Sequence, residues 1–157
     1  MTKTTKQESQ ELAVVSANVE NIPALKNLPP AERIATLQAI TSYIGAKSNN
    51  LDAWLGKEMP VCGVLVHDAT VAVEKVDKET GEITTGYDNV KRTVFKLDGH
   101  EAVSAVSMAA ESFANTFLVP AFGIGDWKDE DGNKIVVKIM VGQISKGNKR
   151  TFNFQVV

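Results

Sequence analysis

Cysteine and histidine are scarce in this chain of 157 residues, which has one cysteine, Cys62, and two histidines, His67 and His100. A single cysteine excludes a disulfide within the chain and a zinc centre built from several cysteines. Two histidines leave few ligands or bases for metal enzymes and catalytic triads, so we expect no metal and no other cofactor. The absence of paired cysteines fits a reducing compartment, and we expect a cytoplasmic protein.

Long apolar runs are also missing. No run approaches the ~20 residues that a membrane helix needs, and the first ten residues are polar, so we expect neither a membrane span nor a signal peptide. The hydrophobic fraction of 43% and the charged fraction of 23% are typical of a soluble globular protein. The length predicts about one domain.

Acidic residues are absent from residues 133–157, which carry five basic residues. Residues 59–132 carry six basic and thirteen acidic residues, and residues 1–58 carry six of each sign. The net charge of −2 argues against a protein that binds nucleic acid through its overall charge. A local basic stripe, however, does not require a basic protein.

The first part of the chain predicts an arm followed by a helical extension. We expect residues 1–28 to form a flexible arm, whose apolar second half either packs on its own domain or contacts a partner. Residues 29–58 form the helical extension, with a first helix that begins at Pro30 and ends at Gly45 and a second short helix from Asn50 to Leu55. The apolar residues of the first helix recur at helical spacing at Ile34, Leu37, Ile40 and Ile44.

From residue 59 the pattern becomes typical of strands. Residues 61–76 predict one long strand with a bend or bulge near residues 67–69. A turn at residues 77–82, in which Gly81 can take a positive φ, returns the chain into strands that end at Leu97.

An Asp-x-x-Glu pattern at Asp98 and Glu101 predicts a capping box that opens a helix, which ends at Val119-Pro120. The apolar stripe of this helix consists of Val103, Val106, Ala110, Phe113 and Phe117. Beyond it, Asp131-Gly132 and residues 145–150 predict two hairpin turns.

The order of elements over residues 59–157 is β-β-(β)-α-β-β. It predicts a mainly β fold with α, namely an OB-fold: a five-stranded Greek-key barrel with a helix between strands 3 and 4. The short helical N-terminal extension precedes this domain.

Enzyme motifs are not found. The chain has no phosphate-binding loop and no His-Glu-x-x-His, and Gly123-Ile124-Gly125 lacks the third glycine of a dinucleotide fingerprint. Acidic residues at positions 126 and 129–131 lack the spacing of a calcium loop and predict a solvated hairpin turn. His67 and Asp68 could form half of a hydrolytic site, although a strand or turn position is the more common role. We expect a non-enzymatic protein in which Cys62 is a small core residue.

Basic and aromatic residues concentrate on the predicted hairpins. A single-stranded nucleic acid needs cations for its phosphates and exposed rings for its bases. The residues of these hairpins that we expect to bind nucleic acid are Tyr87, Lys91, Arg92, Phe95, Lys138, Lys146, Lys149, Arg150, Phe152 and Phe154. The four cations Lys91, Arg92, Lys149 and Arg150 are expected to be exposed. Phe152 and Phe154 alternate with polar residues along the predicted strand. This pattern fits both rings that pack in the core and rings that stack on bases.

Three stretches of the chain resemble a known family. They are Lys91–Gly99, the Ala/Ser-rich segment after it, and residues 136–148 running into Phe152-Asn153-Phe154. They are similar to the single-stranded DNA-binding proteins of protein-primed phages of Gram-positive bacteria, and to related OB-fold proteins of Gram-positive conjugative plasmids. The resemblance covers about residues 59–157.

This resemblance implies sequence-independent coating of single-stranded DNA during phage or plasmid replication or transfer, in the cytoplasm of a bacterial host. The contacts that it carries over are Tyr87, Phe95, Lys146 and Phe152. Residues 1–58 depart from the shortest members of the family and could serve self-association along the strand.

Two alternatives remain at this stage. The first is a protein-interaction module that docks partners through residues 10–57 and does not bind nucleic acid. The second is a small hydrolase that uses His67 and Asp68. The sequence leaves open whether the origin is phage or plasmid and whether DNA or RNA is preferred.

Overall fold

The computed structural model describes residues 27–157, so nearly all of the predicted arm lies outside the described residues. Seven strands account for most of the regular structure. They are β1 Ser48–Asn50, β2 Glu58–Val76, β3 Ile83–Leu97, β4 Ala102–Ala105, β5 Gly125–Asp126, β6 Val137–Lys146 and β7 Lys149–Val156. The expectation of a mainly β fold with α is confirmed.

One mixed sheet contains all seven strands. The path through it runs β1-β4-β3-β2-β6-β7, and β5 pairs with β2 beside this path. The β1–β4 pair is parallel and the other pairs are antiparallel. Among the described strands no ladder joins β7 to β1 or β4, so the sheet is open.

The long predicted hairpin is confirmed as β2 and β3. Its register runs without interruption from Gly63 paired with Lys96 to Val76 paired with Ile83. The bulge lies between Val61 and Gly63, so its predicted position near residues 67–69 is wrong. Residues 67–69 instead pair regularly with residues 90–92 of β3.

The predicted capping box is wrong. Asp98 begins a turn in which Gly99 has a φ of 77°, and the chain then pairs with β3 as β4. Pairing along the edge of β3 satisfies backbone groups that an early helix would leave unpaired on the sheet. The cap is Ser107, whose Oγ accepts hydrogen bonds from the backbone N–H groups of Ala109 and Ala110.

Ser107 opens a helical segment that runs from Met108 to Phe122. It consists of α2 Met108–Phe113, a π-helical turn Ala114–Leu118, and α3 Val119–Phe122. The predicted end at Val119-Pro120 is wrong, because Pro120 lies in the first turn of α3, where a missing N–H costs little. The segment ends at Gly123, which has a φ of 87°.

The first predicted helix is confirmed as α1, Pro30–Ile44. Only its C-terminal half lies on the sheet, so Ile40 and Tyr43 are buried while Ile34 and Leu37 remain 56% and 44% exposed. The second predicted helix is a 3-10 helix, Leu51–Trp54, with the side chain of Asn50 as its cap. The extension also contributes β1, a strand that the sequence pattern did not reveal.

Alternating residues of β2 and β3 point to opposite faces of the sheet. We call the face that carries Val64, Val66 and Phe95 the inner face, because it bears the main core with the helical segment 108–122. The opposite, outer face carries Leu65 and Val94, which pack against α1.

Tyr43 anchors α1 to the outer face. Its hydroxyl donates a hydrogen bond of 2.6 Å to Asp126, which also pairs with Lys96 at 2.9 Å. Burial and this hydrogen bond raise the pKa of Tyr43. Burial alone would raise the pKa of Asp126, but the hydrogen bonds from Tyr43 and Lys96 outweigh it and lower that pKa.

The two C-terminal hairpins differ in length. The turn at residues 129–132 is exposed, as predicted, but its arms meet only at a bridge between Lys128 and Lys134. The second hairpin pairs β6 with β7 from Ile139 and Val156 to Lys146 and Lys149. Within residues 27–157 no helix is long and apolar enough to cross a membrane.

Candidate nucleic-acid interface

The inner face of β3 runs from the core out into solvent. Phe95, Lys91 and Tyr87 lie on this face because they are separated by even numbers of residues. Phe95 is fully buried, Lys91 is half-buried, and Tyr87 is 55% exposed. The strand therefore presents Tyr87 and Lys91 beside the core, while Phe95 belongs to it.

Phe95 is not accessible as a nucleic-acid contact. Its exposed fraction is 0%, and its ring lies 6.1 Å from that of Phe154 between centroids. A ring that stacks on a base must offer an open face. Its assignment to the interface is therefore corrected: Phe95 is a core residue.

Arg92 is likewise turned away from the inner face. It is 4% exposed, so the expectation that it is exposed is wrong. Its guanidinium lies on the outer face among polar groups at the end of α1 and in β1, at hydrogen-bond distance from Ile44 O and Ser48 Oγ. Its charge is used inside the fold and cannot reach a phosphate.

Lys91 remains at the edge of the candidate surface. Its Nζ lies 3.0 Å from Oδ1 of Asp68, and about a third of each side chain is exposed. An ion pair of this exposure contributes roughly 0–1 kcal/mol to stability. Exchanging Asp68 for a phosphate would therefore cost little.

Phe152 and Phe154 follow the inner face of β7. Both are half-buried and packed against the main core. Phe154 stacks on Phe113 of α2, with centroids 4.9 Å and planes 17° apart. Phe152 lies one pleat further from the core, 6.5 Å from the ring of Phe154. The two rings therefore differ in their surroundings. Phe154 packs against the core, and Phe152 is better placed than Phe154 to contact a base.

The basic residues of the β6–β7 hairpin divide between the two faces. Arg150 is exposed and shares the inner face with Phe152. Lys138 and Lys149 are exposed on the outer face, because their positions alternate with those of the core residues Ile139 and Val141 and of Arg150. Lys146 pairs with Lys149 in the ladder, and its side chain lies outside the described part of the structure.

One exposed ring was assigned to a core stripe in the sequence. Phe117 is 61% exposed, and its ring lies 5.8 Å from that of Phe113. Phe113 in turn stacks on Phe154, so a continuous row of rings leads from the core to the surface. The spacing of 113 and 117 predicted that the rings share a helix face, but it could not show that the outer one is exposed.

The pair His67–Asp68 does not form a hydrolytic site of the predicted kind. His67 is fully buried, and its Nδ1 bonds the backbone oxygen of Asp68 rather than the carboxylate. Burial lowers the pKa of His67, and the Asp68 carboxylate pairs with Lys91. Cys62 is buried, as predicted, and burial raises the pKa of its thiol.

Acidic, histidine and cysteine side chains in residues 27–157 form no group of three or more that could hold a metal ion. Comparisons of the chain with protein-family models, with curated proteins and with solved structures give no match.

Proposed function

We propose that this chain is a non-enzymatic protein that binds single-stranded DNA without sequence preference and coats it during phage or plasmid replication or transfer. It would act in the cytoplasm of a bacterial host. The proposal rests on the inner face of the sheet and on the sequence resemblance described above.

The observation that carries the proposal is the shared face of two hairpins. Tyr87 and Lys91 on β3, and Arg150 and Phe152 on β7, all lie on the inner face, at the border of the core or beyond it. Each hairpin thus offers one ring and one cation on the same side. This is the pairing that a single strand requires, because its backbone is anionic and its bases stack on rings.

An OB-fold is proposed on the basis of connectivity. The strands β2, β3, β4, β6 and β7 follow the order expected of its five strands, with the helical segment 108–122 between the third and the fourth. In this fold the hairpin loops after the first and fourth strands flank the binding surface. Here those loops are residues 77–82 and 147–148.

Binding of this kind has a defined energetic signature. Each base stacked on a ring contributes about 1–3 kcal/mol and does so with little regard to sequence. Each phosphate contacted by a cation releases counterions, so affinity falls as salt rises, with a slope of roughly 0.7 per contact on a single strand.

Adjacent residues on opposite faces supply a matched test. Arg150→Ala removes an inner-face cation and Lys149→Ala removes an outer-face cation of the same hairpin tip. We expect Arg150→Ala to weaken single-strand binding and to flatten the dependence of affinity on salt by about one contact, and Lys149→Ala to change both less. Equal effects of the two variants, or none, would contradict the proposed face.

A protein-interaction module that does not bind nucleic acid is the second candidate. The exposed Ile34 and Leu37 on α1 favour it, because two apolar side chains one turn apart form the kind of stripe that a partner helix covers. This candidate predicts complexes that depend on α1 and no affinity for any nucleic acid.

A further inference from the structure

The outer part of the β2–β3 hairpin, residues 71–88, forms an arm that we call the acidic arm. Its strands remain paired as far as Val76 and Ile83, well beyond the core. The arm carries five acidic and two basic residues. It is therefore a paired, negatively charged extension of an otherwise compact sheet.

The tip of the acidic arm is also apolar. Val76 and Ile83 face each other across the two strands and are 61% and 62% exposed. Such a pair would stabilise the hairpin less than a buried pair does, since most of its apolar surface stays in water. Within the described residues no side chain of the core clusters covers it.

A surface of opposite charge lies on the outer face of the β6–β7 hairpin, and we call it the cationic face. Ile144 and Lys149 lie on it at the tip of the hairpin, and both are exposed. Lys138 lies on the same face six residues before Ile144, beside the exposed Glu58 of β2, and is not part of this tip. The whole stretch from residue 133 to residue 157 has no acidic residue. The cationic face therefore combines positive charge with an exposed apolar side chain, as the arm combines negative charge with one.

We propose that the acidic arm of one copy docks on the cationic face of a second copy. The Val76–Ile83 pair would cover Ile144, while Glu79 and Glu82 would lie near Lys149. The two surfaces differ, so the contact is heterologous: the copy that donates its arm keeps its cationic face free, and the copy that receives it keeps its arm free. Copies would therefore join head to tail into a chain.

On the β6–β7 hairpin this arrangement separates contacts between copies from contacts with DNA, whereas Tyr87 in the acidic arm shares a face with the Val76–Ile83 pair. The cationic face is the outer face of β6–β7, whereas Arg150 and Phe152 lie on the inner face. A neighbour's arm and a DNA strand could thus occupy the same hairpin together. Only the consequence for cooperative coating rests on the proposed function; the contact between copies does not require DNA.

Charge reversal tests the contact directly, by sedimentation velocity of the full chain without DNA. Glu79→Lys with Glu82→Lys reverses the arm, and Lys149→Glu reverses the cationic face. We expect the wild-type protein to associate as its concentration rises at low salt, and each reversed variant to sediment as a monomer. A mixture of the two variants should associate again into alternating chains of 1:1 composition, because the basic arm of one meets the acidic face of the other and the unchanged arm and face also meet.

Glu130→Lys with Asp131→Lys is the matched control for the arm variant, since it makes the same charge change in the exposed turn at residues 129–132. It should leave association unchanged. A wild-type protein that stays monomeric at near-millimolar concentration would overturn the proposal. Association that ignores the reversals, or that is lost equally in the control, would also overturn it.

Binding to an oligonucleotide that holds a single copy distinguishes this proposal from the proposed function. A variant of the apolar pair, Val76→Ser with Ile83→Ser, leaves the charge of the loop at residues 77–82 unchanged. It should bind such an oligonucleotide as tightly as the wild-type protein and lose cooperativity only on long strands. If the wild-type protein does not bind DNA at all, the proposed function is wrong, while the sedimentation result still tests the contact between copies.

Discussion

The imidazole Nε2 of His67 lies 3.1 Å from Nη1 of Arg92, and both side chains are buried. A guanidinium can only donate, so Nε2 must accept, and Nδ1 carries the proton that is donated to the backbone oxygen of Asp68 at 2.9 Å. The same guanidinium reaches Ser48 Oγ at 3.1 Å and Ile44 O at 3.4 Å. Arg92 thus ties β3 to the end of α1 and to β1.

This contact makes the stability of the protein dependent on pH. Burial, together with the charge of Arg92, lowers the pKa of His67 below its ordinary value of 6.5. The unfolded chain takes up a proton below that value while the folded chain does not, so stability falls as the pH drops through it. For one group the slope is at most about 1.4 kcal/mol per pH unit, and it ends at the folded pKa.

Urea unfolding at a series of pH values checks this expectation. His67→Gln keeps a side-chain acceptor for Arg92 and removes the titration, so the loss of stability below neutral pH should shrink. His100→Gln, at an exposed position, is the control and should retain the wild-type profile. Equal profiles for His67→Gln and the wild-type protein would contradict the assignment.

Arg92→Ala should reduce the stability of the protein, whereas Arg150→Ala should reduce its affinity for single strands. Removing the buried Arg92 leaves His67 and Ser48 without this partner and should cost about 2–4 kcal/mol of unfolding free energy, on the scale of hydrogen bonds to a charged group. Removing the exposed Arg150 should change stability by less than about 0.5 kcal/mol. Thermal unfolding and single-strand affinity measured on both variants check this, and a loss of affinity with full stability in Arg92→Ala would refute it.

Gly63 permits the close approach of β5 and of Tyr43 to β2. A Cβ there would collide with the Tyr43 hydroxyl and would lie 2.7 Å from the backbone oxygen of Gly125. Because that oxygen belongs to a paired strand, Gly63→Ala should cost about 1–3 kcal/mol. Gly142→Ala is the control, since its Cβ meets only the side chain of the exposed Asn153. Similar melting temperatures for the two variants would contradict this account.

Phe152 and Phe154 should separate binding from packing. Phe154 contacts Phe113 and Phe95, so Phe154→Ala should reduce stability more than Phe152→Ala does. Phe152→Ala should weaken binding to single-stranded DNA by about 1–3 kcal/mol with little change in the salt dependence. Titrations at several salt concentrations check this, and an unchanged affinity would remove Phe152 from the interface.

The sequence predicted elements whose signals are local. The two ends of α1 were predicted because Pro30 and Gly45 act locally. Proline fixes φ in the first turn of a helix, and glycine favours the position where a helix ends. The β2–β3 turn was predicted for the same reason, since Gly81 takes a φ of 74°. The capping pattern at Asp98 failed because β3 offers an unpaired edge there, and a tertiary pairing overrode a local preference.

The candidate interface was harder to predict, because exposure depends on what covers each face. Alternation placed Arg92 and Phe95 on strands but could not show that α1 covers one face and the helical segment the other. The bulge between Val61 and Gly63 also exchanges the two faces of β2, so which residues point inward depends on its position. Tyr87 and Arg150 lie outside the parts of the sheet that these helices cover, and both are exposed, as expected of residues that contact a nucleic acid.

The most direct test of the central claim is fluorescence anisotropy of the wild-type protein with three labelled ligands at two salt concentrations. The ligands are a single-stranded DNA of about 30 nucleotides, long enough to span more than one site, the same sequence as RNA, and the DNA duplex. The account predicts micromolar or tighter binding to the single-stranded DNA, weaker binding to the duplex, and a loss of affinity as salt rises. Absence of binding to all three ligands at low salt would contradict it.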